Sequence, residues 1–271
     1  MPNPMNSSRL TSLATLALVA FAAPLASAIT IDFDSGYTTG TLDGKPTSGT
    51  QWALVNGGTN VVNVTAAIGT SASQGIAGTG TGAGSNFVYY GFNTTNTDLG
   101  TTFDASASVV DYSFDWRATQ AFGTSNAQSI FAFTVGSSTA TGGSAALRLD
   151  IRSSGRLIAL NGATNQAADG LFTLGTYATV SGQVNYETNT YTVFVNGVQQ
   201  FTSITGGNLA FNNAASDNAF IRVGNLGGAT ADYRTWNADN ITVTAIPEPS
   251  TFAALAGLGV LGLAAARRRR A

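Results

Sequence analysis

Residues 177–201 constrain the fold more than any other part of the chain. Apolar residues recur at every second position, as at Val180 and Val184, which is the period of a half-buried strand. Asn196-Gly197 then separates two such runs, and it is a strong hairpin signal because both residues tolerate the positive φ angles of a type I′ turn. Two hairpins in succession predict an antiparallel meander over this segment.

The same pattern extends over residues 29–245. Short alternating segments separated by turn residues predict about a dozen strands, and no stretch has the apolar period of a helix of normal length. In residues 145–152 we expect Leu147, Leu149 and Ile151 to point inward and Arg148, Asp150 and Arg152 outward. Residues 69–85 are rich in Gly, Ser, Ala and Thr, which predicts a long surface loop or a weak edge hairpin.

These strands predict an all-β fold, an antiparallel jelly-roll β-sandwich over residues 29–245. The body resembles a LamG-like, concanavalin-type jelly roll, which implies that its first and last strands lie together near one end. The resemblance rests on the opening Phe33-Asp34, on Trp52, on the hairpin of residues 191–197 and on the closing residues 239–243.

The composition excludes several kinds of chemistry. The chain has no cysteine and no histidine, which rules out a Ser-His-Asp triad, a Cys-His nucleophile and a His-ligated zinc. Without disulfides, the core alone must stabilise the body. Residues 29–245 contain seven basic and thirteen acidic residues, a net charge of −6, so nucleic acid is not expected as a partner.

The N-terminus has the layout of an export signal. Arg9 precedes an apolar run over residues 13–25, and the small residues Ala26 and Ala28 follow with one residue between them. This pattern predicts a signal peptide over residues 1–28, a signal helix that signal peptidase cuts after Ala28. The alternative is an N-terminal membrane anchor, for which the apolar run is short.

The C-terminal residues 246–271 have three parts. Pro247, Glu248 and Pro249 come first, and each proline favours an extended backbone before it, so we expect an exposed stalk there. Residues 252–266 carry no charge, and as a helix they would be about 22 Å long, short of a hydrocarbon core of about 30 Å, so they predict a short transmembrane helix. The cytoplasmic stop that ends the chain consists of Arg267, Arg268, Arg269 and Arg270.

This order of motif, short helix and basic end resembles the PEP-CTERM sorting signal. The resemblance implies a Gram-negative bacterium in which an exosortase recognises the motif and removes the tail. The protein would then be anchored for a time in the inner membrane and be released to the cell surface or the extracellular matrix. The alternative is an ordinary C-terminal membrane anchor. The resemblance covers residues 246–271 and implies nothing about the body.

The body has one candidate metal site, for calcium. Calcium takes oxygen ligands from Asp, Asn and backbone carbonyls. If the first and last strands are neighbours, Asp32 and Asp34 could meet Asp239 and Asn240. The alternative is that these residues hydrogen-bond turns at strand ends. No other cofactor is predicted.

Tryptophan side chains are the candidate carbohydrate contacts. Trp116 falls in a predicted strand and is expected in the core, where large aromatic side chains contribute most to stability. Trp236 lies in a polar run and is the best candidate for an exposed ring that stacks on a sugar.

Enzymatic activity is not predicted. The Glu-x-Asp-x-x-Glu strand common in concanavalin-type glycosidases is absent, and Glu187 falls in a hairpin turn. Asp111 and Asp115 form an acidic pair on one strand face and are conceivable catalytic carboxylates. The alternative is that they are charges at the rim of the sheet near Arg117. We expect a non-enzymatic structural or adhesive protein of the surface or matrix. The alternatives are a carbohydrate-binding module that contacts exopolysaccharide and, after it, a glycan-active enzyme.

Overall fold

The computed structural model describes residues 27–43, 52–55, 61–79, 86–93, 108–124, 126, 129–137, 145–161, 164–185, 188, 190–202, 218–226, 234–247, 257–259 and 262. In these residues the chain forms sixteen strands, numbered in chain order: β1 Ser27–Ile31, β2 Gly40–Thr41, β3 Trp52–Val55, β4 Val61–Thr65, β5 Gly75–Thr79, β6 Asn86–Asn93, β7 Ser108–Ala118, β8 Ser129–Ser137, β9 Ala145–Arg152, β10 Leu157–Asn161, β11 Thr164–Ala168, β12 Ala178–Asn185, β13 Thr190–Val195, β14 Val198–Thr202, β15 Asn218–Leu226 and β16 Trp236–Pro247.

The strands form two antiparallel sheets, as predicted for a β-sandwich. The first sheet has the order β14-β13-β12-β7-β16-β5-β4-β2, with β1 also paired to β16. The second has the order β11-β10-β9-β8-β15-β6-β3. The two predicted terminal helices lie largely outside the described residues. Among those described, 257–259 and 262 are helical, and no helix there has the length and apolar character needed to cross a membrane.

Aromatic side chains from the two sheets meet in the core. Phe114 of β7 packs against Phe131 and Phe133 of β8, with ring centroids 5.3 and 4.6 Å apart. Trp236 of β16 meets Phe131 edge to face, with centroids 4.8 Å apart and an interplanar angle of 79°. Such pairs add to the stability gained from burying the rings themselves, so these contacts fix how the sheets face one another.

The last strand is the most connected one in the first sheet. On one side β16 pairs with β7 from Trp236 to Pro247. On its other side it pairs first with β5 and then with β1, whose Ile31 lies opposite Ile241. The change of partner occurs at Asn240, which has a φ of 50° and lies within a register shift against β7. The expected pairing of first and last strands is therefore confirmed.

The predicted meander is also confirmed. Strands β12, β13 and β14 are consecutive neighbours, and Val180 lies opposite Val195. Asn196 and Gly197 have φ angles of 50° and 77°, as a type I′ turn requires. The Asn196 side chain also accepts a hydrogen bond from the Thr179 amide at 3.0 Å, which ties the turn back to β12.

The prediction for residues 69–85 is wrong in part, because this segment contains an internal strand. β5 pairs with both β4 and β16, and its Ile76 is completely buried. Glycine is needed here for close approach: a Cβ on Gly78 would lie 2.1 Å from Cε2 of Trp236. The small residues that predict a loop thus make room for the tryptophan ring of the neighbouring strand.

This close approach predicts that Gly78→Ala destabilises the body. The added Cβ overlaps the Trp236 ring and forces the two strands apart, so we expect a loss of about 3 kcal/mol and a fall in Tm of roughly 6–12 °C. Thermal unfolding followed by circular dichroism measures the shift.

Gly197→Ala is the control, because its Cβ would meet nothing within 4 Å and strains only the backbone. Its cost should be about 1 kcal/mol. Equal losses for the two variants would contradict the packing explanation.

Candidate functional sites

A buried carboxylate holds the turn between β4 and β5. Asp239, which is fully buried, accepts hydrogen bonds through Oδ2 from the Thr70 amide at 2.7 Å and the Ser73 hydroxyl at 3.2 Å. Its Oδ1 accepts the Asn240 amide at 2.8 Å. Burial raises the pKa of Asp239, the three hydrogen bonds oppose this, and the nearby Asp115 adds to the rise. The carboxylate thus links the last strand to a turn 169 residues earlier.

Asp115 of β7 extends this network across the outer face of the first sheet. Its Oδ2 accepts hydrogen bonds from Nδ2 of the Asn240 side chain at 2.8 Å and from the Thr70 hydroxyl at 3.2 Å. Its Oδ1 accepts the Thr179 hydroxyl at 2.6 Å. Three strands and the turn are therefore joined through one carboxylate.

Arg117 and Tyr177 hold the start of the same turn. Nη2 of Arg117 donates to the Ile68 carbonyl at 3.1 Å, and the Tyr177 hydroxyl donates to that carbonyl as well. The guanidinium carbon of Arg117 lies 4.6 Å from the centroid of the Tyr177 ring, a cation–π contact. Burial raises the pKa of Tyr177 to about 12, against the effect of Arg117, and Asp239 and Asp115 raise it further.

Of the four candidate calcium ligands, Asp34 and Asp239 contact this turn, Asn240 binds Asp115, and Asp32 binds its own chain neighbours. Oδ1 of Asp32 accepts the amides of Asp34 and Ser35, and Oδ1 of Asp34 accepts the Gln74 amide at 2.7 Å. Asp34 and Asp239 thus bind the same short segment. Among the described residues no group of three or more His, Cys, Asp or Glu could hold a metal ion. The calcium site stays a prediction.

Asp111 and Asp115 lie farther apart along the backbone than the carboxyl groups of a glycosidase do. Both lie on the outer face of β7, four residues apart, which corresponds to about 13 Å along a strand. Glycosidases need about 5 to 9.5 Å between carboxyl groups. Asp111 accepts a hydrogen bond from Gln183 at 2.9 Å, so each carboxylate is engaged by its own strand neighbours.

The prediction of an exposed Trp236 is wrong. Its side chain is 1% exposed and lies between Gly78 and Phe131 in the core, so it cannot stack on a sugar from solvent. The polar run around it was misleading because its neighbours point to the other face of the strand. Trp116 is buried, as expected. The side chain of Trp52 lies outside the described part of the structure.

The outer face of the second sheet carries a compact charged group. Leu147, Leu149 and Ile151 point into the core as predicted, so Arg148, Asp150 and Arg152 point away from it. Asp150 is nevertheless fully buried, as are Ala132 and Thr134 on the neighbouring strand β8, and both arginines bind its carboxylate. Arg148 binds it through Nε at 2.7 Å and Nη2 at 2.5 Å, and Arg152 through Nη2 at 3.3 Å.

A buried hydroxyl adjoins this group. Thr134 of β8 lies directly opposite Arg148 in the sheet, is fully buried, and its Oγ1 has no hydrogen-bond partner. Arg148 remains 30% exposed. Burial lowers the pKa of Arg152, Asp150 opposes this, and Arg148 lowers it further. Two guanidinium groups thus lie near a buried hydroxyl that has no hydrogen-bond partner. This is unusual, because buried polar groups are normally hydrogen-bonded.

The predicted processing residues fall at the ends of two paired strands. Ala28 lies in β1 opposite Thr244, and Pro247 is the last residue of β16, opposite Ser108. Ala26, Glu248, Pro249 and the four terminal arginines lie outside the described residues. Each strand therefore runs into a segment predicted to be removed.

The solved structures that this body resembles include β-sandwich lectins. It is similar to peanut lectin, with a TM-score of 0.50 and 12% identity over 82% of this chain and 99% of that one. It is similar to the carbohydrate recognition domain of Emp47p, with a TM-score of 0.50 and 11% identity over 81% of this chain and 95% of that one. A sialidase also matches, with a TM-score of 0.50 and 11% identity over 80% of this chain, which spans 18% of the sialidase. The body thus has a jelly-roll β-sandwich fold similar to that of these proteins.

The tail is identified by a separate match. Residues 245–270 match the PEP-CTERM protein-sorting motif. The chain therefore carries this sorting motif after a lectin-like β-sandwich, as its sequence predicts. No curated protein matches the sequence.

The raised pKa of Asp239 predicts how stability depends on pH. The folded protein holds this proton more tightly than the unfolded chain, so the contribution of Asp239 to stability falls as pH rises above the ordinary value of 3.8. The test compares the free energies of unfolding of the wild type and of Asp239→Asn at each pH. We expect the wild-type value minus the variant value to decrease from about pH 3 to pH 7. Urea unfolding followed by tryptophan fluorescence measures both. A difference that is constant or rises with pH would contradict this.

Proposed function

We propose that this protein is exported, is held for a time in the inner membrane by its tail, and is released by an exosortase to the cell surface or the matrix. The observation that carries this proposal is the sorting-motif match over residues 245–270. The apolar run and the four arginines that follow the motif agree with it, since arginines resist translocation and remain cytoplasmic.

We infer a structural or adhesive role for the body rather than catalysis. The chain has neither histidine nor cysteine, and Asp115, Asp150 and Asp239 are each engaged by donors within the body. The network that joins the turn after β4 to the first sheet supports a rigid scaffold, because Asp115 and Asp239 each accept three hydrogen bonds within it.

The sorting proposal predicts that Glu248→Ala leaves the tail in place. In a host that has an exosortase, the wild-type protein should lose the segment that contains Arg267 to Arg270. The variant should keep it, because Glu248 is the one acidic side chain by which an enzyme can recognise the motif. Intact mass of the membrane and surface fractions measures the C-terminus. Glu187→Ala, the only other glutamate substitution that the chain offers, is the control and should be processed normally. Wild-type protein with an intact tail would contradict the proposal.

A second candidate function is the binding of an acidic exopolysaccharide on the outer face of the second sheet. Arg148 favours it, because its side chain is 30% exposed and guanidinium groups bind carboxylates such as those of acidic sugars. Arg152 adds a second positive charge beside it. The lectin-like fold is compatible with this role. Trp236 is buried between the two sheets and takes no part.

This candidate predicts that Arg148→Gln weakens binding to an acidic polysaccharide about tenfold, because a charged hydrogen bond is lost. Arg148→Lys keeps the charge and should retain part of the affinity. Arg156→Gln removes the same charge at a site 34% exposed and should have no effect. Binding to immobilised alginate, with circular dichroism to check folding, measures this. Equal affinity in all four proteins would exclude this face.

A further inference from the structure

The two predicted processing sites lie beside each other at one end of the first sheet. β1 and β16 are antiparallel, with Ser27 opposite Ala245 and Ala28 opposite Thr244. The chain therefore enters β1 and leaves β16 at the same end. Cutting after Ala28 removes two residues of β1, and those two are the partners of Thr244 and Ala245.

Signal cleavage would leave the end of β16 with a partner on one side only. Three pairs with β1 remain, from Ile29 opposite Val243 to Ile31 opposite Ile241. On the other side, β7 continues to pair with β16 as far as Pro247. β5 reaches no further along β16 than Ala238. In the described part of the mature body, residues 244–247 would therefore form an open strand edge.

We propose that removal of the signal peptide opens this edge as the docking strand for the processing enzyme. The enzyme would add a strand of its own to residues 244–247, and so receive the following Glu248 in an extended conformation. Strand addition is an established mode of peptide recognition, in which backbone hydrogen bonds supply affinity and side-chain pockets supply specificity. This inference rests on the proposed sorting function.

The position of the sorting match supports the choice of this partner. The match begins at Ala245, so its first three residues already belong to β16. A strand bound along this edge lies directly beside the motif. Residues 244–246 are Thr, Ala and Ile, which lack the charges that natural proteins place on edges to prevent pairing. Pro247 has no amide hydrogen to donate, so an added strand would end there, at the first residue of Pro247-Glu248-Pro249.

The same geometry sets an order of processing. While Ser27 and Ala28 are still attached, they pair with Ala245 and Thr244 and cover the edge. A body that keeps its signal peptide is then a poor substrate for removal of the tail. Tail removal would follow signal cleavage, and only a protein that is fully across the membrane would be released.

Two insertions between Ala28 and Ile29 test the proposal in a host with an exosortase. Thr-Val restores two residues opposite Thr244 and Ala245 and covers the edge again, so the ratio of intact to removed tail should rise about tenfold. Gly-Pro adds the same length but pairs poorly, and this control should be processed like the wild type. Intact mass identifies both termini, and the comparison uses molecules cut after Ala28.

Each outcome bears on the proposal. Equal tail removal in the wild type and both insertion variants would overturn the docking edge, while leaving sorting itself intact. No tail removal in the wild type would instead overturn the sorting function. A dimer of the processed wild type that the Thr-Val insertion abolishes in gel filtration would show that a second copy occupies the edge, and would overturn the assignment to the enzyme.

Discussion

The pairing of the last strand with three earlier ones is the constraint on which the structure depends. β16 lies between β7 on one side and β5 and β1 on the other, and it brings Trp236 and Asp239 to the places where the sheets and the β4–β5 turn are joined. All of these contacts join distant parts of the chain. Closing such loops costs entropy before the contacts form, so folding of the body should be slow and complete only when β16 is available.

The polar network follows from the same strand. Asn240 takes a positive φ where β16 changes its partner, and this bend places Asp239 under the turn at Thr70 while Asn240 reaches Asp115. The result is a buried carboxylate, Asp239, and a half-buried one, Asp115, that both accept hydrogen bonds from donors of the body itself. The second sheet is different, since Arg148 stays partly exposed beside a hydroxyl of Thr134 without a partner.

The sequence predicts correctly those features that depend only on neighbouring residues. The turn at Asn196-Gly197 and the inward face of β9 follow from residue types and alternation alone. The contact between Gly78 and Trp236 could not be predicted. A glycine that makes room for a ring on the neighbouring strand looks, in the sequence, like a glycine of a loop. The burial of Asp150 was missed for a related reason: alternation predicts the face on which a residue lies and not what covers it. The hydrogen bond between Thr70 and Asp239 leaves no sequence signal at a separation of 169 residues.

The antiparallel arrangement of β1 and β16 has a mechanical consequence. The start of β1 and the end of β16 lie at the same side of the body. A force that pulls these two points apart therefore acts along the hydrogen bonds between the strands and breaks them one after another. A force between the end of β16 and a distant part of the body instead loads β7 as well, along most of its length. An anchored protein of this design would resist drag from its surroundings better than it resists separation of its own two ends.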